Sequence, residues 1–288
     1  MVVLHITELR EKIRQQLIAA AAADPRVAGL VEGGAGAEGR GDDWSDLDVA
    51  LFLRDEAYDA FVREWQAWAA QFGDLLLAYV GGVGHPWTVY AAEPLPLRVD
   101  FAFLRLSAVD ELRDWSVAPA SVDHMVLYDD TGGRIRAEAA RLVGQSLAPA
   151  DLQATFERVS GDFWYYCLRT YTRLWRGELW VARHEFNWIV MGNLFALLRL
   201  ESGVVDRWRA TSAATGLARD VSPARLAQLE ECVPGPGAGA LLAAMRGAAG
   251  VGAEVCAAIA ATHNWPWPSR LARQVQALLA RPLPSTLQ

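Results

Sequence analysis

The spacing of apolar and polar positions changes character about halfway along the chain. In the first part short apolar runs dominate: Val27–Val31, Leu47–Leu53, Leu75–Val80, Trp87–Ala91, Leu97–Leu104 and Met125–Tyr128. Short runs bounded by Gly, Pro, Asn or Asp are the pattern of strands. Between them, Thr7–Ala23 and Glu56–Phe72 carry apolar residues at helical spacing, Tyr58, Phe61, Trp65 and Trp68 in the second case. Thr7 reads as the N-cap of the first helix and Asp24-Pro25 as its stop. Gly81–Pro86 reads as the turn of a hairpin, and Val109–Trp115 as a short helix.

Beyond about residue 135 the strand pattern ends. Asp151–Arg176, Leu179–Leu200, Ser222–Cys232, Ala238–Ala261 and Pro268–Ala280 are long and apolar-rich at helical period. Pro234-Gly235-Pro236-Gly237 separates two of them. Seven of the twelve tryptophans fall in this half, which argues for a well-filled helical core. The expected fold is α+β: a sheet domain over 1–138 and an all-helical domain over 139–288, the boundary lying between Thr131 and Gly144.

Composition narrows the function. A chain of 288 residues is comfortable for two domains, and 52% apolar against 21% charged content supports a large core. A net charge of −7 is the wrong balance for a duplex nucleic-acid binder. Lys12 is the sole lysine, so no Gly-Lys-Ser/Thr phosphate loop is possible. Cys167, Cys232 and Cys256 are widely spaced and odd in number, with neither metal-ligand spacing nor a disulfide framework, which fits a reducing cytoplasm. The segment after Met1–Ile6 breaks any signal-peptide pattern, and no run of about eighteen uncharged apolar residues is present, so no membrane partner is expected.

The chemistry concentrates in Gly33–Asp48. A glycine-rich turn follows the first strand, and Asp46 and Asp48 then open the second. Residues i and i+2 of a strand share a face, so both carboxylates can reach one ion. Magnesium takes hard oxygen ligands, often one or two carboxylates plus substrate phosphates. Asp100 lies in the otherwise apolar strand Val99–Phe103, where a carboxylate is costly unless paired or bound to metal. Arg98 shares its face and is placed to pair with it or to meet a phosphate. A lone Asp-x-Asp is usually a loop or cap, and a lone Asp-Arg pair is usually structural. The joint pattern of glycine turn, Ser45-Asp46-Leu47-Asp48 and a later strand aspartate is far more specific.

That joint pattern resembles the nucleotidyltransferase superfamily, in its small antibiotic-modifying branch, whose motif runs Gly-Ser, spacer, Asp-x-Asp or Asp-x-Glu, then a later Asp or Glu. Met125–Gly132 is similar to the strand and turn that close the catalytic domain of lincosamide nucleotidyltransferases. Leu174–Arg183 resembles the Arg-Gly-Glu helix junction of their helical domain and of aminoglycoside 6-adenylyltransferases. The resemblance implies a mixed sheet with flanking helices ahead of a helical bundle. It implies transfer of a nucleoside monophosphate, AMP from ATP, to a hydroxyl of a lincosamide or aminoglycoside, with Mg2+ and release of diphosphate. It makes Asp46, Asp48 and Asp100 the metal ligands, with Asp100 also taking the hydroxyl proton, or else Glu157, Glu178 or Glu185 as base. It gives Gly33, Gly34, Ala35, Arg40 and Ser45 to the nucleotide, and implies a homodimer. Ala35 departs from the family, which has serine there; the small side chain remains but a hydrogen bond to phosphate is lost. Two other readings stay open: a nucleotidyltransferase acting on a protein or RNA, as in toxin–antitoxin pairs, and a non-catalytic nucleotide-binding module.

Other residues carry weaker signals. Arg169, Arg173 and Arg176 form one helical stripe, read as a solvated face before a phosphate-binding patch. His184 reads as a satisfied core histidine, and Trp164, Tyr165 and Tyr166 as core packing before ligand stacking.

Overall fold

Two strands with apolar residues on both sides set the architecture, because each has to be covered on two faces. The computed structural model describes residues 4–82 and 84–284, so Met1–Val3, the last four residues and Val83 of the Gly81–Pro86 turn lie outside the described residues. Residues 1–146 and 147–288 form two compact units.

In the first unit the elements run α1 (Ile6–Ala23), β1 (Val27–Glu32), α2 (Gly34–Ala37), β2 (Leu47–Leu53), α3 (Tyr58–Ala69), β3 (Leu75–Val80), β4 (Pro86–Tyr90), β5 (Leu97–Arg105), α4 (Val122–Met125), β6 (Val126–Asp129) and α5 (Arg134–Ala140). Among the described residues the strands form one mixed sheet in the order β3-β4-β5-β2-β1-β6. The β2–β5 pair is parallel and the others are antiparallel. Central β2 is buried on both faces, as its unbroken apolar run requires. Leu47, Val49, Leu51 and Leu53 pack with Val99, Phe101 and Phe103 under α1 and α3, through Leu9, Ile13, Leu17, Phe61 and Trp65. On the opposite face Ala50 and Phe52 pack against Val109, Leu112, Met125, Ile135 and Ala139.

Most predicted elements stand where the apolar spacing puts them, with corrections at the ends. The cap of α1 is His5, not Thr7: the His5 ring accepts the Thr7 amide at 3.4 Å, and Thr7 lies inside the helix. The glycine segment is not all turn, since Gly34–Ala37 closes one helical turn. The segment over Val109–Trp115 is a 3-10 stretch, Leu106–Asp114. The two compact units meet at 146/147, and all of α5 lies in the first, where Ile135 and Ala139, with Leu142 just beyond the helix, are buried in the core.

The second unit is helical: α6 (Leu152–Trp175), α7 (Leu179–Glu185), a π-type turn over Phe186–Val190, α8 (Met191–Ser202), α9 (Leu217–Asp220), α10 (Pro223–Glu230), α11 (Gly237–His263) and α12 (Ser269–Leu279). Asp151 caps α6 by accepting the Ala154 amide at 2.9 Å, and Ser222 followed by Pro223 opens α10. Among the described residues only α11 is long and apolar enough to cross a membrane; here it packs against α6, α8, α10 and α12, with Leu241, Met245, Ala248, Val255 and Ile259 buried in the core. His184, expected in that core, stands at the surface, because α7 turns Ala182 and Glu185 inward.

Small residues let α11 approach α6. A Cβ on Gly252 would stand 2.3 Å from Phe163 Cε1, whereas one on Gly250 would meet nothing within 4 Å. Alanine at an unobstructed mid-helix glycine stabilises by about 0.5–1 kcal/mol, and overpacking costs about 1–3 kcal/mol. Gly250→Ala should therefore raise the unfolding free energy and Gly252→Ala should lower it. Urea denaturation of the two variants side by side checks both signs; equal shifts would contradict this packing.

Candidate active site

The backbone register creates the site. In the parallel β2–β5 pair Asp48 lies level with Asp100, and in the antiparallel β4–β5 pair Trp87 lies level with Asp100. Gly33, just past the end of β1, donates its amide to the Asp48 carbonyl at 2.8 Å. One row thus crosses four chain segments: Gly33, Asp48, Asp100, Trp87. Residues level with one another across a sheet share a face, so both aspartates emerge on one side. Asp46 precedes β2 by one residue and keeps the same phase. One carboxylate oxygen of each of Asp46, Asp48 and Asp100 lies within 4.8 Å of the others, so the three residues expected to converge do so.

Three like charges at this separation disturb one another. Burial pushes the Asp48 carboxyl up to about 6, with Asp46 and Asp100 adding to the rise and Arg98 opposing it. Asp100 is raised as well, first by burial and then by Asp46. Arg98 does not pair with Asp100; its Nη2 donates to Asp46 Oδ2 at 2.6 Å. That pair is substantially exposed on the arginine side and so contributes little to stability. A hard divalent cation fits this donor set better than any residue nearby, because all three ligands are carboxylate oxygens, and only one guanidinium stands against them.

The glycines beside the cluster have geometric reasons. Gly34 has φ +51, and a Cβ there would stand 2.0 Å from Asp48 Oδ2. A Cβ on Gly36 would stand 1.8 Å from Glu32 Oε1. Glu32 is buried beneath the loop and held by Arg14 at 2.7 Å. The turn thus passes close over Asp48 at Gly34 and over Glu32 at Gly36, and first-turn helix amides have no intrahelical acceptor. Two residues expected near phosphate are otherwise engaged. The Ser45 hydroxyl donates to Asp42 Oδ1 at 2.8 Å, closing the loop before β2, and Arg40 pairs with Glu38 at 2.5 Å. In the helical unit Arg169 bonds the buried Glu185 at 3.0 Å and Arg173 bonds Glu178 at 2.8 Å, so part of the arginine stripe is ion-paired. Of Trp164, Tyr165 and Tyr166, only Trp164 is wholly buried.

Sequence reasoning missed the wall of the site. A cleft of about 200 Å³ opens beside Asp48 and Asp100, floored by Ala50 and Ala102 and walled by Trp87 and Trp115, with His85 at its rim. The signal was present in the counting: if Trp87–Ala91 and Leu97–Leu104 pair antiparallel about the turn at Glu93-Pro94, Trp87 falls level with Asp100.

No family model matches the chain, and no curated protein matches it. Among solved structures the chain is similar to an aminoglycoside 6-adenyltransferase from Bacillus subtilis. That likeness has 13% identity over 95% of this chain and 99% of that one, with a TM-score of 0.45. It is also similar to a nucleotidyltransferase-like protein from Exiguobacterium sibiricum 255-15. There the identity is 12% over 93% of this chain and 88% of that one, with a TM-score of 0.34.

The raised Asp48 carboxyl gives a signed pH dependence. Unfolded, it titrates near 3.8; folded, near 6. The folded state holds this proton more tightly, so the contribution favours folding at low pH and is lost as pH rises through 6. Asp48→Asn removes the dependence. In EDTA the variant should gain stability over the parent between about pH 4 and pH 7, by at most about 3 kcal/mol. Chemical denaturation of both proteins across that range measures the difference; a gap that stays constant with pH would mean that Asp48 is not strained in this way.

Proposed function

We propose that this protein is a metal-dependent nucleotidyltransferase that moves AMP from ATP to a hydroxyl of a small-molecule antibiotic, a lincosamide or an aminoglycoside, and releases diphosphate. The convergence of Asp46, Asp48 and Asp100 beside a glycine turn carries the reading. Three carboxylate oxygens from adjoining extended segments suit Mg2+, which when bound would neutralise charge on the attacking and leaving oxygens of an in-line displacement.

The roles of the chain's own groups follow from position. Asp46 and Asp48 are ligands, and the short interval between them keeps both on one face. Asp100 is the third ligand and the group placed to accept the acceptor's hydroxyl proton. Gly33, Gly34 and Ala35 let the backbone approach the triphosphate closely, since a side chain at Gly34 would collide with Asp48. Arg98 holds Asp46 in place and becomes available to a phosphate when a cation replaces it. The likeness to an adenyltransferase agrees with this reading but does not carry it.

The direct test is diphosphate release from ATP and Mg2+ in the presence of lincomycin or streptomycin. Turnover with one drug, abolished by EDTA and reduced at least a thousandfold in Asp48→Ala or Asp100→Ala, is the expected result. No release with either drug would sink the antibiotic assignment. Labelled AMP found on a macromolecule would point instead to a protein- or RNA-modifying enzyme.

Ala35 generates a second prediction. A serine hydroxyl there would add a hydrogen bond to a charged phosphate, worth about 1–2 kcal/mol. Ala35→Ser should therefore tighten binding of a non-hydrolysable ATP analogue about 5- to 30-fold, read by calorimetry with Mg2+ present. Unchanged affinity would mean that the phosphates do not lie on this turn.

A further inference from the structure

The cleft between the carboxylates and Trp115 differs chemically from the metal site it adjoins. Its floor is the alanine pair Ala50 and Ala102, which stand level across the β2–β5 ladder, one step along the same face from Asp48 and Asp100. Two small side chains leave a flat apolar shelf there. Trp87 walls one side. Trp115 walls another and lies stacked on Phe52, ring centroids 6.5 Å apart. Apart from Asp48 and Asp100, the lining brings no carboxylate.

The Trp87 indole is fixed before any ligand arrives. Tyr79 meets it edge-on at 5.8 Å. Gly81 lies beneath it so closely that a Cβ there would stand 2.4 Å from Trp87 Cε3. A rigid, half-exposed indole over an apolar floor is a stacking surface for the apolar face of a ring, such as a sugar. The row across the sheet orders the parts: the glycine turn flanks Asp48 on one side, and Trp87 flanks Asp100 on the other. In-line displacement puts the leaving and attacking oxygens on opposite sides of the phosphorus. If the triphosphate lies along the glycine turn, the acceptor enters on the Trp87 side.

We propose that this cleft is the acceptor subsite, that Trp87 is its specificity-determining residue, and that the acceptor is a neutral or singly charged compound presenting the apolar face of a ring. A polycation finds no counter-charge here beyond the two aspartates already committed to metal. The inference rests on the nucleotidyl-transfer reading above, and on the triphosphate lying along the glycine turn.

The test is calorimetric binding of lincomycin, which carries one amine on a sugar-bearing ring compound, and of streptomycin, a polycation. The protein is first saturated with Mg2+ and a non-hydrolysable ATP analogue. Lincomycin should bind at least about tenfold more tightly than streptomycin. Trp87→Ala should weaken lincomycin about tenfold, and Gly81→Ala, which displaces the indole, should do the same. Trp87→Phe should recover most of the affinity, which a merely unfolded variant could not show. The analogue itself should bind all these variants within twofold of the parent. Tighter binding of streptomycin, undiminished lincomycin binding in Trp87→Ala, or binding of neither drug would overturn the inference. So would a loss confined to the analogue in Trp87→Ala, which would assign the indole to the nucleobase. In each of those cases the analogue still binds the parent protein and nucleotidyl transfer stands. Failure of the parent to bind the analogue with Mg2+ would instead remove the nucleotidyl-transfer reading and this inference together.

Discussion

The site depends on one parallel strand pairing. β2 and β5 are distant in sequence, and their ladder brings Asp48 and Asp100 level at the spacing of adjacent strands. Neither side chain chooses that proximity. Packing on the two sheet faces imposes it, because a slip of one residue would turn Leu47, Val49, Leu51 and Leu53 away from α1 and α3. The hydrophobic register is thus the force that holds the carboxylates against their mutual repulsion. The strain shows in the Asp48 carboxyl, whose affinity for a proton is raised far above that of an ordinary aspartate. Native structures tolerate such strain where surrounding packing over-determines it.

Close approach is the second constraint. The turn from Gly33 to Ala37 passes over the carboxylates with no room for a side chain at Gly34, and over Glu32 with none at Gly36. Glu32 is buried at the end of β1 and neutralised by Arg14 from α1. The paired charge beneath the turn and the unpaired charges beside it are therefore different in kind. Arg14 pairs with Glu32, although burial still outweighs it and raises the Glu32 carboxyl, while Arg98 reaches only one of the three carboxylates that converge on the sheet face.

Much of this was legible in the sequence, for identifiable reasons. Leu47–Leu53 and Leu75–Val80 appear as strands with the ends read from their apolar runs, since Asp46 and Arg54 bound the first and Asp74 and Gly81 the second. Asp46, Asp48 and Asp100 could be singled out because a polar residue at a strand entry or within an apolar strand breaks a strong pattern. What was not legible depends on pairing between segments. Arg98 shares a face with Asp100 in the sequence, yet its long side chain crosses the β2–β5 ladder to Asp46. Trp87 reads as one more apolar strand residue until β4 is registered against β5. Residues 134–140 carry no element in the apolar pattern, and only the burial of Ile135 and Ala139 against the sheet places α5 in the first unit. His184 failed for a related reason: periodicity gives a helix an apolar face but does not say how wide that face is.

The charge balance at the cluster sets it apart from the paired acids of the fold. Had three carboxylates been gathered for stability, the surrounding fold would supply matching cations, as it does for Glu32. Here a single, largely exposed guanidinium stands against three carboxylates, which leaves about the charge of one divalent cation uncompensated. Salt bridges at the surface cannot recover that cost, and burial makes it worse for Asp48 than for its neighbours. Positive charge brought to that point from outside the chain would relieve the raised Asp48 carboxyl. The proposed metal-nucleotide complex would bring such charge, together with phosphates to the glycine turn beside it.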